Sequence, residues 1–260
     1  TDSTIGEVPK LAQKHQIKVA LGAWIDARFA HNATEIERAI RLARRHDNVI
    51  RLIVGNEVIL RGDIPLADLT AYLDKVRAAV KQPVSTAEPW HVWLRHPELA
   101  EHVDYLAVHM LPYWEGIPAD ASIGYIDSKV AELEQAFPGK KIVLAEVGWP
   151  SNGRTREAAV ASESNEAMFL RRFLARAREQ GYVYYLMEAF DQPWKAQSEG
   201  SVGAYWGVWN VDREAKFPFK APIVRIPEWR TLAAVAVALA LLLFTVFSLD
   251  GRRLATSGRS

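Results

Sequence analysis

The sequence predicts an α/β fold, a TIM (β/α)₈ barrel that lacks its first two strands and is followed by one transmembrane helix. Short apolar runs alternate with amphipathic stretches, which is typical of βαβ units around a parallel sheet. The apolar runs are nearly continuous, as expected of strands that are covered on both faces. The chain has 260 residues, about the length of one such barrel.

Six apolar runs are predicted as strands: Ile17–Ile25, Val49–Gly55, Pro83–Ala87, Val103–Met110, Lys141–Val147 and Tyr182–Phe190. A complete barrel has eight strands. We therefore expect the sequence to be a fragment, with two strands and one helix lying upstream of Thr1. An open doubly wound sheet is the alternative, but no G-x-G-x-x-G follows any run, so the dinucleotide-binding version of that fold lacks support.

The stretches between the runs have helical periodicity. Predicted helices are Thr4–His15, Thr34–Asp47, Pro65–Lys81, Ser122–Phe137 and Glu157–Gln180. Thr34 and Glu37 have the spacing of a capping box. Gly181 follows the last helix, where glycine commonly ends helices.

A second region begins after the barrel pattern. Residues 218–230 are rich in proline and lack periodicity, which predicts a linker after a barrel of residues 1–217. Leu232–Leu249 contains 18 residues without a charge, a length of about 27 Å in a helix and close to the hydrocarbon thickness of a bilayer. We predict a transmembrane helix over 231–249 and a short basic tail over 250–260. A buried core helix is the alternative.

Composition excludes several classes of function. The formal net charge is +1 without long blocks of one sign, so nucleic acid is not an expected partner. The chain has no cysteine, which excludes disulfides and a thiolate nucleophile. Its seven histidines lack metal-ligand spacing, and neither a P-loop nor a G-x-S-x-G elbow is present. We expect no metal and no cofactor.

Two carboxylates follow strand patterns. Glu57 comes directly after the run that starts at Val49, and Glu146 closes the run that starts at Lys141. A charge at the end of a buried strand is costly unless it opens into a polar site, and in barrels this end of the strands holds the active site. Glycoside hydrolysis requires such a pair, with retention at about 5 Å separation and inversion at wider separation. The sequence alone leaves that distance open.

Three motifs occur in the chain: GNE (Gly55–Glu57), AEVGWPS (Ala145–Ser151) and EAFDQPWK (Glu188–Lys195). Together they resemble glycoside hydrolase family 17, the β-1,3-glucanases and related glucanosyltransferases. The resemblance covers most of residues 1–227 and includes stretches of bacterial type, such as VHMLPYWEG (Val108–Gly116). It implies a retaining mechanism with Glu57 as acid/base and Glu146 as nucleophile. The motif reads DQPWK where the family pattern has DEPWK, so Gln192 replaces an expected acidic group.

Other residues near the strand ends are candidates for binding the glucan. Asn56 is placed to hydrogen-bond a sugar 2-hydroxyl, with a structural loop asparagine as the alternative. Aromatic candidates for a stacking rim, with core packing as the alternative, are Trp90, Tyr113, Trp114, Trp149, Trp194 and Trp206.

Polar candidates include Glu188 and, with a predicted ion pair between them, Asp191 and Lys195. Glu88 is a weaker candidate. His109 is predicted to be a hydrogen-bonded core histidine rather than a proton shuttle.

Three functions agree with these residues. They are hydrolysis of β-1,3-glucan, transglycosylation that branches or remodels glucan, and a non-catalytic glucan-binding module. The apolar segment predicts a single-pass membrane anchor with the barrel on the periplasmic or extracytoplasmic side, although the basic residues on its two sides are nearly balanced. A glycosyltransferase domain or protein is a candidate partner.

Overall fold

The computed structural model describes residues 4–226 and 228–257. The chain forms two compact units, of which the first ends at Phe219 and the second begins at Lys220. The first unit contains one sheet of six strands in the order β1-β2-β3-β4-β5-β6. Every pairing is parallel. The strands are β1 (Val19–Ala23), β2 (Val49–Asn56), β3 (Val84–Pro89), β4 (Tyr105–Met110), β5 (Lys141–Val147) and β6 (Val183–Leu186).

Helices connect the strands, and together with the sheet they form part of a TIM barrel. The α-helices are α1 (Val8–Lys14), α2 (Phe29–Arg45), α3 (Val58–Arg61), α4 (Leu66–Ala79), α5 (Trp90–Arg95), α6 (Ser122–Ala136), α7 (Glu163–Gln180), α8 (Ala196–Glu199) and α9 (Trp229–Ser257). Short 3₁₀ turns occur at Thr4–Glu7, Pro97–His102 and Pro193–Lys195. All six predicted strands are confirmed, and so is the βα alternation.

Two predicted helix starts are wrong. Helix α2 begins at Phe29, and the Thr34 hydroxyl donates to the Ala30 carbonyl inside the helix, so Thr34 does not cap it. Helix α7 begins at Glu163 rather than Glu157, because the Ser162 hydroxyl accepts a hydrogen bond from the Asn165 amide at 3.1 Å. Ser162 therefore supplies the N-cap.

The sheet has two differently packed faces. Helices α2 and α4 pack against β1, β2 and β3 on one side. The other face carries a small apolar cluster of Ala87, Tyr105, Ala107 and Val143, packed with Ile53, Ala145 and Tyr185. This second face is the interior of the curved sheet. Its upper end, at the carboxyl ends of the strands, is where the two predicted catalytic carboxylates lie.

Both strands that lead to the predicted catalytic carboxylates, β2 and β5, contain an irregularity in their pairing near the carboxyl end. On β2, Ile53 pairs with Ser85 but Asn56 pairs with Ala87, so β2 has one extra residue there. On β5, Val108 pairs with Leu144 but His109 pairs with Glu146, so β5 also has one. In a regular strand, Glu146 would point away from the face that Val143 and Ala145 occupy. A bulge reverses that direction and turns Glu146 toward His109.

The second unit consists largely of α9. The part Trp229–Ser248 is 20 residues long and is apolar enough to cross a membrane. Its apolar side chains are exposed, Phe244 by 72%, which is not the burial expected of a core helix. The predicted span Leu232–Leu249 lies within this helix. Residues 258–260 of the predicted basic tail lie outside the described residues.

Candidate active site

Glu57 lies in a tight turn between β2 and α3. Its backbone has φ 54° and ψ 33°, the left-handed region that is uncommon for residues with a side chain. The Glu57 amide donates to the Ala87 carbonyl at 2.8 Å, which fixes the turn to β3. Gly55 has φ 84°, and a Cβ there would lie 2.5 Å from Val58 Cγ2. The glycine of the GNE motif is therefore required by the backbone that presents Glu57.

Glu88, on the neighbouring strand β3, holds this turn in place. Its side chain is buried, and its two oxygens accept hydrogen bonds from the amides of Ile59 at 2.7 Å and Leu60 at 3.3 Å. Burial raises the pKa of Glu88 to about 7 in spite of these bonds. Glu88 thus binds backbone at the start of α3 and positions Glu57, rather than facing a sugar.

Arg61 and Trp24 form a second contact beside Glu57, and neither residue is among the candidates predicted from the sequence. Arg61 donates to the Asn56 carbonyl, and its guanidinium lies 4.9 Å from the centre of the Trp24 ring. Trp24 directly follows β1 and is 47% exposed, while its indole N–H donates to Asp26 at 3.2 Å. An aromatic residue after a strand was the available signal, the same one that led to Tyr113. Asn56 itself is half-buried at the end of β2.

Glu146 reaches the same mouth from β5. Its side chain is 27% exposed, and that of Glu57 is 28% exposed. Gly148, two residues further on, approaches the chain after β6 so closely that a Cβ would lie 2.1 Å from the Met187 carbonyl oxygen. The glycine of the AEVGWPS motif therefore allows the chain that carries Glu146 to pack against the next strand end.

His109 lies between the two carboxylates. Its Nδ1 is 2.8 Å from Glu57 Oε1, and its Nε2 is 3.6 Å from Glu146 Oε1. The side chain is only 2% exposed, and Nε2 has no hydrogen-bond partner among the described residues. The predicted burial and hydrogen bonding of His109 are confirmed, but its partner is the candidate catalytic residue Glu57 rather than a group of the core. The strand β4 is buried, but its carboxyl end faces the reactive pair.

The three groups perturb one another. Burial pushes the pKa of Glu57 upward, but the hydrogen bond and charge of His109 outweigh it, with help from Arg61, so the pKa is lowered. Burial and the charge of Glu57 raise the pKa of Glu146, although His109 opposes them. Burial alone would lower the pKa of His109, yet Glu146, Glu57 and Glu88 together raise it. In the free site, these directions favour an ionised Glu57, opposite to the acid role implied by the resemblance.

Glu188 lies beyond β6, close enough to influence Glu146. It accepts hydrogen bonds from Lys195 Nζ at 2.7 Å and from the side-chain Nε2 of Gln192. Gln192 is thus a donor to a carboxylate. A glutamate at that position would repel Glu188, which gives the departure from the DEPWK pattern a physical consequence.

Asp191 has a different partner from the one we expected. Its Oδ1 accepts from Lys216 Nζ at 2.9 Å and from the Gly207 amide at 2.9 Å. Lys216 also lies 3.2 Å from Glu166, whose pKa burial raises to about 8. The predicted Asp191–Lys195 ion pair is therefore wrong. Asp191 belongs to a buried ionic network that links the loop after β6 to α7.

Three of the predicted rim aromatics are buried in the core. Tyr113, Trp149 and Trp206 have no exposed surface, and their rings meet edge to face with Tyr113 in the middle, at 5.8 Å to each neighbour. Trp149 donates to the Val160 carbonyl at 3.1 Å, and Tyr113 donates to the Arg154 carbonyl. The expectation that these three stack on sugar is wrong, because the described structure leaves none of their faces open.

The other three aromatics retain accessible surface. Trp194 is 64% exposed. Trp90 is half-buried with Lys129 Nζ 3.9 Å from its ring centre, and Trp114 is half-buried and stacked on Trp206 at 5.9 Å. These residues remain candidates for sugar contact.

Known proteins resemble this chain over the barrel. A glucan 1,3-β-glucosidase of Schizosaccharomyces pombe is 29% identical over 227 residues, which cover 81% of this chain and 70% of that protein. A cell surface mannoprotein of Candida albicans is 24% identical over 74% of this chain, which spans about half (52%) of that relative. Both relatives are fungal, so the expected bacterial type is not supported.

Solved structures of family 17 enzymes also resemble this chain over the barrel. A family 17 β-1,3-glucanosyltransferase from Rhizomucor miehei superposes with a TM-score of 0.75 at 30% identity, covering 84% of this chain and 82% of that one. An active-site mutant of that enzyme, in complex with laminaritriose, matches with the same TM-score at 29% identity and the same coverage.

The family model described as the BtgE/BtgC glycoside hydrolase domain matches residues 1–207. That stretch contains β1 to β6 and all the carboxylates of the mouth. The chain therefore belongs to the BtgE/BtgC glycoside hydrolase domain family, within glycoside hydrolase family 17.

Proposed function

We propose that this domain cleaves β-1,3-glucan with retention of anomeric configuration, using Glu146 as nucleophile and Glu57 as acid/base. The observation that carries the proposal is that one buried imidazole contacts both carboxylates at the carboxyl ends of parallel strands. Such a contact holds the two carboxylates close together at one site, and double displacement needs two closely spaced carboxylates.

The reaction follows from these positions. Glu146 attacks the anomeric carbon, the glycosidic C–O bond breaks, and Glu57 gives its proton to the leaving oxygen. The sugar is then esterified to Glu146. Glu57, now ionised, removes a proton from the acceptor, whose oxygen displaces Glu146 and restores the original configuration. No further reactant is required.

The substrate class rests on relatives. The S. pombe protein is named a glucan 1,3-β-glucosidase, and the R. miehei structure holds laminaritriose. In this chain, exposed aromatic faces and hydrogen-bonding groups near the mouth would bind glucosyl units. We assign this role to Asn56, Trp90, Trp114, Trp194, Glu188 and Lys195.

Transfer to a sugar is the second candidate function, favoured by the 30% identity to a glucanosyltransferase. Hydrolysis and transfer share the first half of the reaction and differ in the acceptor. Incubation with a laminari-oligosaccharide distinguishes them, because transfer yields products longer than the substrate. Only shorter products would exclude transfer, and no products at all from the intact chain would favour the non-catalytic glucan-binding module.

We also propose that α9 anchors the domain to a membrane with the barrel on the extracytoplasmic side and the C-terminus in the cytoplasm. The exposed apolar stretch Trp229–Ser248 and the cell-surface relative support this location. A glycosyltransferase domain or protein remains a candidate partner. Protease accessibility of the barrel in sealed membrane vesicles of known orientation tests the placement, since cleavage only from the cytoplasmic side would contradict it.

A further inference from the structure

The position of His109 supports an inference that goes beyond the proposed function. This inference depends on the proposed function. The imidazole lies between two carboxylates, Glu57 after β2 and Glu146 on β5, and the charge of Glu88 on β3 also acts on it. One nitrogen is hydrogen-bonded at 2.8 Å, while the other faces Glu146 at 3.6 Å. A neutral side chain of the same shape would suffice for packing alone. A titratable ring with both nitrogens directed at acids is suited to holding a proton.

We propose that His109 stores the proton that Glu57 uses as the general acid. In the free site, His109 is an imidazolium that donates Nδ1–H to the Glu57 carboxylate. When substrate occupies the mouth, that proton moves along the hydrogen bond: the Nδ1–H bond breaks and an O–H bond forms on Glu57. The positive charge on the ring and the negative charge on Glu57 disappear together, and Nε2–H continues to face the ionised Glu146.

This arrangement resolves the conflict between electrostatics and role. Glu57 is ionised in the free site because His109 stabilises the anion. The pair nevertheless contains one proton, and sharing it makes Glu57 an acid without an external donor. After bond cleavage the leaving group carries the proton away. The proton that Glu57 later removes from the acceptor can return to Nδ1. His109 touches no reacting atom, so it is a positioning and proton-holding residue.

The test compares His109→Asn with the parent chain, both intact and in detergent. Asparagine can donate an amide N–H to Glu57 but cannot titrate. The alkaline limb of kcat/KM for a laminari-oligosaccharide should move to lower pH by about one unit or more. With an activated aryl β-glucoside, whose leaving group needs no proton, this limb should not move. His102→Asn is the matched control, because His102 pairs with Asp74 on the outer surface at 2.9 Å, and its profile should equal that of the parent.

An unshifted alkaline limb in His109→Asn overturns the proposal, even if activity falls, because a merely structural histidine would lower rates without moving the profile. Should the variant fail to fold, nitrogen NMR of the parent gives a second answer. The proposal requires a doubly protonated His109 ring at neutral pH without substrate, and a neutral ring would contradict it. The NMR result does not depend on turnover, so it separates failure of this inference from failure of the proposed activity.

Discussion

The carboxyl ends of β2 and β5 each present a glutamate, but the two glutamates differ in backbone conformation, in contacts and in the direction of their pKa shifts. At the end of β2, Glu57 has a left-handed backbone, a hydrogen bond from His109 and the nearby cation Arg61. At the end of β5, Glu146 is turned inward by a bulge and lies 3.6 Å from His109. Opposite charge therefore outweighs burial at the first end, where the pKa is lowered, whereas burial dominates at the second, where it is raised.

The resting protonation of a catalytic pair therefore need not equal its working protonation, since the pKa of the proposed acid Glu57 is lowered in the free site. The acid of a retaining glycosidase needs a proton when substrate is bound, and the nucleophile needs a negative charge. A histidine shared between the two provides a means of exchange. Substitutions at each end should therefore have distinguishable consequences.

Loss of the nucleophile should have the largest effect. Glu146→Gln keeps the size of the side chain but removes the attacking anion, so turnover should fall by about 10⁴-fold or more on every substrate, including activated ones. Steady-state rates on a laminari-oligosaccharide and on an aryl β-glucoside measure this. A variant that keeps normal rates on the aryl substrate would show that Glu146 is not the nucleophile.

Loss of the acid should be selective. Glu57→Ala should slow cleavage of unactivated glucan by about 10² to 10⁴-fold, because the leaving oxygen no longer receives a proton. Formation of the glycosyl ester from an aryl glucoside with a good leaving group should be little affected. The ratio of the two rates is the measurement, and equal losses on both substrates would argue against the acid role.

Weakening the hydrogen bonds that hold the turn after β2 should also slow cleavage of unactivated glucan selectively, but by less than loss of the acid. Glu88→Gln replaces one of the two oxygens that hold the amides of Ile59 and Leu60. We expect a loss of about 1–3 kcal/mol in the free energy of unfolding and a rate on unactivated glucan lower by about 10- to 100-fold. Glu115→Gln, at an exposed position, is a control. An unchanged ratio of glucan to aryl rates would show that Glu88 does not position Glu57.

The smallest effects should appear in the pH profile. The charge of Lys195 partly opposes the burial that raises the pKa of Glu146. Lys195→Met should therefore raise this pKa further and move the acid limb of kcat/KM to higher pH. Arg61 lowers the pKa of Glu57, so Arg61→Met should move the alkaline limb to higher pH. Each shift should be less than about one unit, since both cations act at a distance. Movement of the same limb in both variants would contradict the separate assignment of the two ends.

Local pattern was sufficient for the strands and for the two principal carboxylates. The apolar runs around Val49 and Lys141 predicted β2 and β5, and the barrel rule placed Glu57 and Glu146 at one mouth. Trp24 also follows a strand, but the apolar run continues to Ile25, so the sequence pattern places Trp24 inside β1 rather than after it.

The remaining features depend on contacts between distant parts of the chain. The extra residue in β5 is defined only by its pairing with β4, and it decides that Glu146 meets His109. The pairing of Asp191 with Lys216 joins residues 25 apart in the sequence, whereas the expected pair with Lys195 was local. Burial of Trp149 and Trp206 likewise follows from packing around Tyr113.

The stereochemistry of azide rescue tests the central assignment most directly. In Glu146→Gly, azide can occupy the vacated nucleophile position and attack an activated aryl β-glucoside from the α face, giving an α-glucosyl azide. In Glu57→Ala, the ester on Glu146 still forms, and azide displaces it from the opposite face to give a β-glucosyl azide. We expect these two products, identified by NMR of the anomeric proton. The reverse pairing, with the β-azide from Glu146→Gly and the α-azide from Glu57→Ala, would contradict the roles of Glu146 as nucleophile and Glu57 as acid/base.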